Sequence, residues 1–137
     1  MSYGLGAYKK TSVNTASKEQ ILLMLYQAAI KNCKKAMEAI DDNNVAKKGE
    51  AIGKMQDIVI ELNNSLDMEV GGEVAKELSS LYDYIMYSST QANINFDKEQ
   101  LAGCLKVLNT LYDGWKEAIK SIRDANKPAQ PAQKETK

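Results

Sequence analysis

The stretch DKEQLAGCLKVLNTLYDGWKEAIKSI, residues 97–122, decides how the chain folds. Its apolar side chains Leu101, Leu105, Leu108, Tyr112, Trp115, Ile119 and Ile122 recur at alternating steps of four and three, which lays one stripe along one face of a helix. Asp97, with Gln100 three residues on, has the spacing at which a cap and its third residue satisfy each other's free backbone donors. The only prolines, Pro128 and Pro131, lie beyond the stripe, so nothing before them removes a helical donor. The pattern predicts a helix over 97–125, the longest of the chain.

Working back from it, Asn93 to Asn95 reads as a short turn, and Val74, Leu78, Leu81, Ile85 and Ala92 mark a preceding helix over 73–92. Gly71-Gly72 breaks the chain before that helix. Ile52, Met55, Val59, Leu62 and Leu66 define another over 44–67, entered through the turn and cap cluster Asp41-Asp42-Asn43-Asn44. The first helix, 17–40, opens on Ser17 with Gln20 in the capping spacing and turns Leu22, Tyr26, Ala29, Cys33, Ala36, Met37 and Ile40 inward. Short connections force such neighbours to run antiparallel, so the expected fold is all-α: an up-down four-helix bundle, a single domain over 1–125. The breaks at Asp41–Asn44 and Gly71-Gly72 exclude one long coiled coil. Residues 1–16 read as an irregular N-terminal arm, and 126–137, without a large apolar side chain, as a disordered C-terminal tail.

Composition narrows the function. The 137 residues are 44% hydrophobic, with 18 basic and 18 acidic side chains, so no global charge calls for nucleic acid or an anionic membrane. Histidine is absent, which removes His-based acid–base and nucleophilic catalysis and imidazole metal sites. Glu50, Asp57 and Glu61 sit at helical spacing and read as a solvated face, not as an active site. No cofactor or metal is expected. Two cysteines, Cys33 and Cys104, suit a reducing compartment and sit on apolar arcs as small hydrophobes. No apolar run approaches the ~20 residues of a membrane span, and no basic-then-apolar leader opens the sequence, so a cytoplasmic protein is expected.

What remains is surface. At ~100° per residue, Ile21, Leu23 and Met24 fall outside the inward arc of the first helix, so the run Ile21-Leu22-Leu23-Met24-Leu25-Tyr26 is apolar all round. Ile60 lies nearly opposite the stripe of the second helix, and Tyr84, Met86 and Tyr87 flank that of the third. A contiguous apolar patch marks a binding surface, and methionines such as Met24 and Met86 let it repack around a partner. The same surface supports an alternative, a structural or adaptor bundle that self-associates, so the chain is expected to be a monomer or a weak dimer. Lys31, Lys34 and Lys35 read as a solvated face, and Gly71-Gly72 as a turn.

Several spans in order resemble one family. Ala7-Tyr8, Thr15-Ala16-Ser17, Leu25-Tyr26, Lys48-Gly49-Glu50-Ala51, Leu66-Asp67, Gly71-Gly72-Glu73-Val74-Ala75, Leu81-Tyr82-Asp83-Tyr84, Gln91-Ala92-Asn93 and Trp115 are similar to the flagellin-specific export chaperones, the FliS family, over about residues 5 to 120. The resemblance implies a bundle without catalytic activity. Such a bundle binds the C-terminal segment of flagellin in the cytoplasm, prevents its premature polymerisation, and delivers it to a component of the flagellar type III export gate; other flagellar regulators are further candidate partners. Leu5 and Tyr8 match the family's N-terminal arm, which covers or shapes a groove, and Leu22, Leu25 and Tyr26 match its first-helix motif. The candidate partner-binding residues are thus Leu5, Tyr8, Leu22, Leu25 and Tyr26 from the resemblance, with Ile21, Met24, Ile60 and Tyr84 from helical angles. Tyr87-Ser88-Ser89-Thr90 is polar where family members commonly carry leucine, which bears on how the third helix packs at its end.

Overall fold

A computed structural model describes residues 17–126, so the arm, with Leu5 and Tyr8, and the tail beyond Asn126, which ends the last helix, lie outside the described residues. Four helices follow in order: α1 Lys18–Asp41, α2 Val45–Asn64, α3 Met68–Asn95 and α4 Lys98–Asn126. α1 packs against α2 and α4, and α3 against the same two, which with short connections makes the all-α antiparallel bundle expected from the sequence.

Local chemistry sets the helix ends. Ser17 and Gln20 form the reciprocal cap of α1, each side chain accepting from the other's backbone at 3.1 Å. The α1–α2 turn uses Asn43 in the left-handed region, which its short polar side chain tolerates, and Asn44 caps α2 by accepting from the Lys47 N–H. Asp97 caps α4 through the backbone N–H groups of Glu99 and Gln100. The reciprocal half expected there is missing: the buried Gln100 Oε1 has no partner.

Two expectations about α3 are corrected. It begins at Met68, one turn before the Gly-Gly pair, and the break is confined to Gly72, whose φ of 52° and ψ of −126° only glycine adopts freely. At its other end Asn93 to Asn95 remain helical, and the turn falls at Phe96 in the left-handed region. A buried lysine compensates the strain of that bulky residue. Lys48 of α2 donates to the Asn93 carbonyl and sets its ammonium 3.6 Å from the centre of the Phe96 ring, placing a cation on the negative end of the α3 dipole.

The core joins Tyr26, Ala29, Cys33 and Ala36 of α1 to Ile52, Met55, Val59 and Leu62 of α2, with Leu78, Tyr82, Ile85 and Ala92 of α3 and Leu101, Cys104 and Leu108 of α4. Alanines and Cys33 along α1 leave room for its neighbours, and the Cys33 thiol donates to the Leu101 carbonyl of α4 at 3.3 Å. Ser88 and Ser89 are buried too. Gln56 of α2 donates to Ser89 and Thr90 at 2.8 and 3.0 Å, so the polar stretch of α3 is held by hydrogen bonds where leucine would pack. Val74 and Ile122 leave the core stripes assigned to them, at 61% and 60% exposure.

Candidate apolar binding furrow

At the end of the bundle where α1 and α3 begin and α2 ends, the four helices leave a furrow of about 330 Å³. Leu22 comes from α1, Leu62 from α2, Val70, Val74 and Leu78 from α3, and Trp115 from α4. The break at Gly72 shapes its lip, because it lets the first turn of α3 carry Val70 over the opening while Val74 follows on the regular helix. A second lobe of about 430 Å³ lies between α1 and α2, lined by Ile21, Leu22, Leu25 and Leu62, with Lys18 and Glu61 at its margin. Leu22, Leu62 and Ser65 belong to both lobes, so the two form one continuous apolar depression.

Below the furrow three aromatic side chains from three helices meet. The Tyr26 and Tyr82 hydroxyls hydrogen-bond to each other inside the core, and the Trp115 Nε1–H donates to Tyr26 at 3.2 Å. Burial, the largest cause, pushes both phenols above their ordinary range; the bonds from Tyr82 and Trp115 oppose this at Tyr26, whereas the Tyr26 hydroxyl raises Tyr82 further. The triad stays protonated and fixes the Trp115 ring as a wall. Burial likewise raises the Cys33 thiol to about 12 and Cys104 to about 11, which leaves both unreactive at neutral pH.

The sequence-derived residues distribute unevenly over this site. Ile21, Leu22 and Leu25 line the depression, while Tyr26 is wholly buried beneath it and supports Trp115. Met24 and Ile60 are 39% and 44% exposed and line neither lobe. Tyr84 lies on the α3–α4 side, its hydroxyl over Gly103, where a Cβ would overlap it. Trp115, expected at the centre of the core stripe of α4, stands instead half-buried in the furrow wall. Sequence reasoning missed Val70 as a wall residue, put Leu66, which also lines the furrow, on the core stripe of the second helix, and missed Tyr82 as the partner of Tyr26. Tyr82 did carry a signal, four residues after Leu78 and three before Ile85.

Among the described residues no group of three or more His, Cys, Asp or Glu could hold a metal ion, and no helix is long and apolar enough to cross a membrane. The fold and the depression together define a helical bundle that leaves apolar surface open at one end, the build of a helical chaperone. Comparison with known proteins sharpens this. A family model described as flagellar protein FliS matches residues 1–122. The flagellar secretion chaperone FliS of Vibrio cholerae is 37% identical over 119 residues, covering 84% of this chain and 88% of its own. That of Bacillus subtilis is 36% identical over 117 residues, covering 85% and 86%. A crystal structure of a flagellar chaperone from bacteria shares the fold with a TM-score of 0.71 over 87% of this chain and 97% of its own, at 19% identity. The chain belongs to the FliS family of flagellar secretion chaperones.

Proposed function

We infer that the apolar depression receives the C-terminal segment of flagellin as an amphipathic helix, keeps it from polymerising in the cytoplasm, and presents it to the flagellar type III export gate. The observation that carries this reading is the furrow itself, whose walls come from all four helices and whose lining is dominated by leucine, valine and tryptophan. A disordered segment that lays its apolar face there gives up conformational entropy and gains contact area, while hiding the surface that a filament would use. Ile21, Leu22 and Leu25 contact the client directly, and Tyr26 acts through Trp115. Met24, Ile60 and Tyr84 report how far the client extends beyond the furrow. Leu5 and Tyr8 of the arm belong to the same reading as residues that cover or shape the groove.

Calorimetric titration with a peptide of about the last 50 residues of the cognate flagellin tests it. A one-to-one complex is expected, and Val74→Glu should weaken it at least ~10-fold while leaving the melting temperature nearly unchanged, because Val74 is a wall residue at 61% exposure. No binding at tens of micromolar by protein whose helicity is confirmed by circular dichroism would overturn the reading.

A further inference from the structure

Beyond Trp115 the boundary between α1 and α4 continues as a second groove of about 510 Å³, and its chemistry changes. Its floor is mixed: Ile30 is apolar, and the Gln27 Nε2 donates to the Tyr112 hydroxyl at 2.8 Å. Its rim is cationic. Lys31, Lys34 and Lys35 project from adjacent turns of α1 into the lining, all three exposed, and none forms an ion pair among the described residues. Lys116 adds a fourth cation nearby, its ammonium 4.9 Å from the centre of the Tyr112 ring. The acid in the lining, Glu38, is at the far end and pairs with Lys47 of α2 at 3.7 Å.

A chain with no net charge has therefore gathered uncompensated cations along one groove. A solvated lysine face would need no concave floor, and this one has an aromatic ring held in place by a hydrogen bond. The groove lies next to the furrow along α4: Trp115, in the furrow wall, and Tyr112, in the lysine groove, are one helical turn apart.

The geometry points to a second docking segment for the same client: the flagellin chain leaves the apolar furrow past Trp115 and lays an acidic stretch along the α1–α4 groove, its carboxylates facing Lys31, Lys34 and Lys35. This rests on the flagellin reading and adds to it an electrostatic grip and a direction of travel. Rim charges of this kind act chiefly on encounter and on salt dependence, whereas the apolar furrow governs retention.

The test compares the full-length chain with a Lys31→Gln/Lys34→Gln/Lys35→Gln variant against the same flagellin C-terminal peptide, by stopped-flow and calorimetry at about 50 mM and about 500 mM NaCl. At low salt the variant should associate at least ~5-fold more slowly and bind about tenfold more weakly, and at high salt the two should converge. Circular dichroism melting should be unchanged, since all three side chains are exposed. A charge-reversed variant with glutamate at the three positions should lose more than the glutamine one. If the unaltered chain binds the peptide and the glutamine variant matches it in rate, affinity and salt dependence, the lysine groove is overturned and the furrow reading stands. If the unaltered chain does not bind at all, the furrow reading itself has failed.

Discussion

The Tyr26 hydroxyl is the residue-scale hinge of the site, because it ties a furrow wall to the core. Tyr26→Phe leaves the Tyr82 hydroxyl unpaired inside the protein and takes the acceptor from Trp115, so it should cost about 1–3 kcal/mol in urea unfolding. Tyr112→Phe, which removes a hydroxyl at a part-exposed site, should cost less than ~1 kcal/mol in the same experiment. The thiols give a pH dependence of definite sign. Cys33 rises from 9.0 to about 12 and Cys104 from 9.0 to about 11 on folding, both chiefly through burial, so the unfolded chain loses these protons first as pH increases. Their contribution to stability is intact below about pH 9 and falls away as pH climbs toward 11 to 12. The urea midpoint should thus hold between pH 7 and 8 and drop at pH 10, and substituting both cysteines by alanine should reduce that drop. Lys48 shows why some residues resist sequence reading. It lies one turn before Ile52 on the buried stripe, where a charge reads as solvent-facing; its partners, the Asn93 carbonyl and the Phe96 ring, are 45 and 48 residues away in the chain.

At the scale of elements, periodicity located all four helices, and it faltered where the choice of face depends on neighbours. On α3, Leu81 and Tyr82 stand roughly 50° to either side of the line through Leu78 and Ile85, so angle alone ranks them equally. The position of α1 decides, since it supplies the hydroxyl that Tyr82 needs in the core. Trp115 is a similar case. Its place on the stripe of α4 was legible, but the bundle ends there in a furrow, and the stripe becomes a wall. The Gly-Gly break was legible as a break, and its consequence was not. Gly72→Ala forces a side chain into a glycine-only conformation and should cost about 1–3 kcal/mol. It should also weaken client binding more than that loss explains, because Val70 and Val74 on either side of it line the opening. Gly71 has less freedom still: a Cβ there would lie 2.7 Å from that of Ala75, so the two glycines together keep the lip of the furrow close to the regular helix. Equal binding by folded Gly72→Ala protein would show that the lip takes no part in it.

As a whole molecule the bundle is unevenly finished. Toward the turn between α1 and α2, small residues, a buried lysine cap and the Lys98–Asp41 pair at 2.8 Å close the helices together. At the opposite end, apolar side chains from every helix surround a depression that the described bundle leaves unfilled. That asymmetry fits the proposed role: one end is closed by packing and pairing, and the other leaves apolar surface for another chain to complete. Trp115, the single tryptophan, sits in the wall of that depression and reports on it without any label. The most direct test is therefore its fluorescence during titration with a tryptophan-free C-terminal flagellin segment. A blue shift that saturates at one equivalent is the expected result, because the client would remove the exposed part of the ring from water. A complex that forms by calorimetry with no change in the emission of Trp115 would contradict the furrow as the place where the client is held.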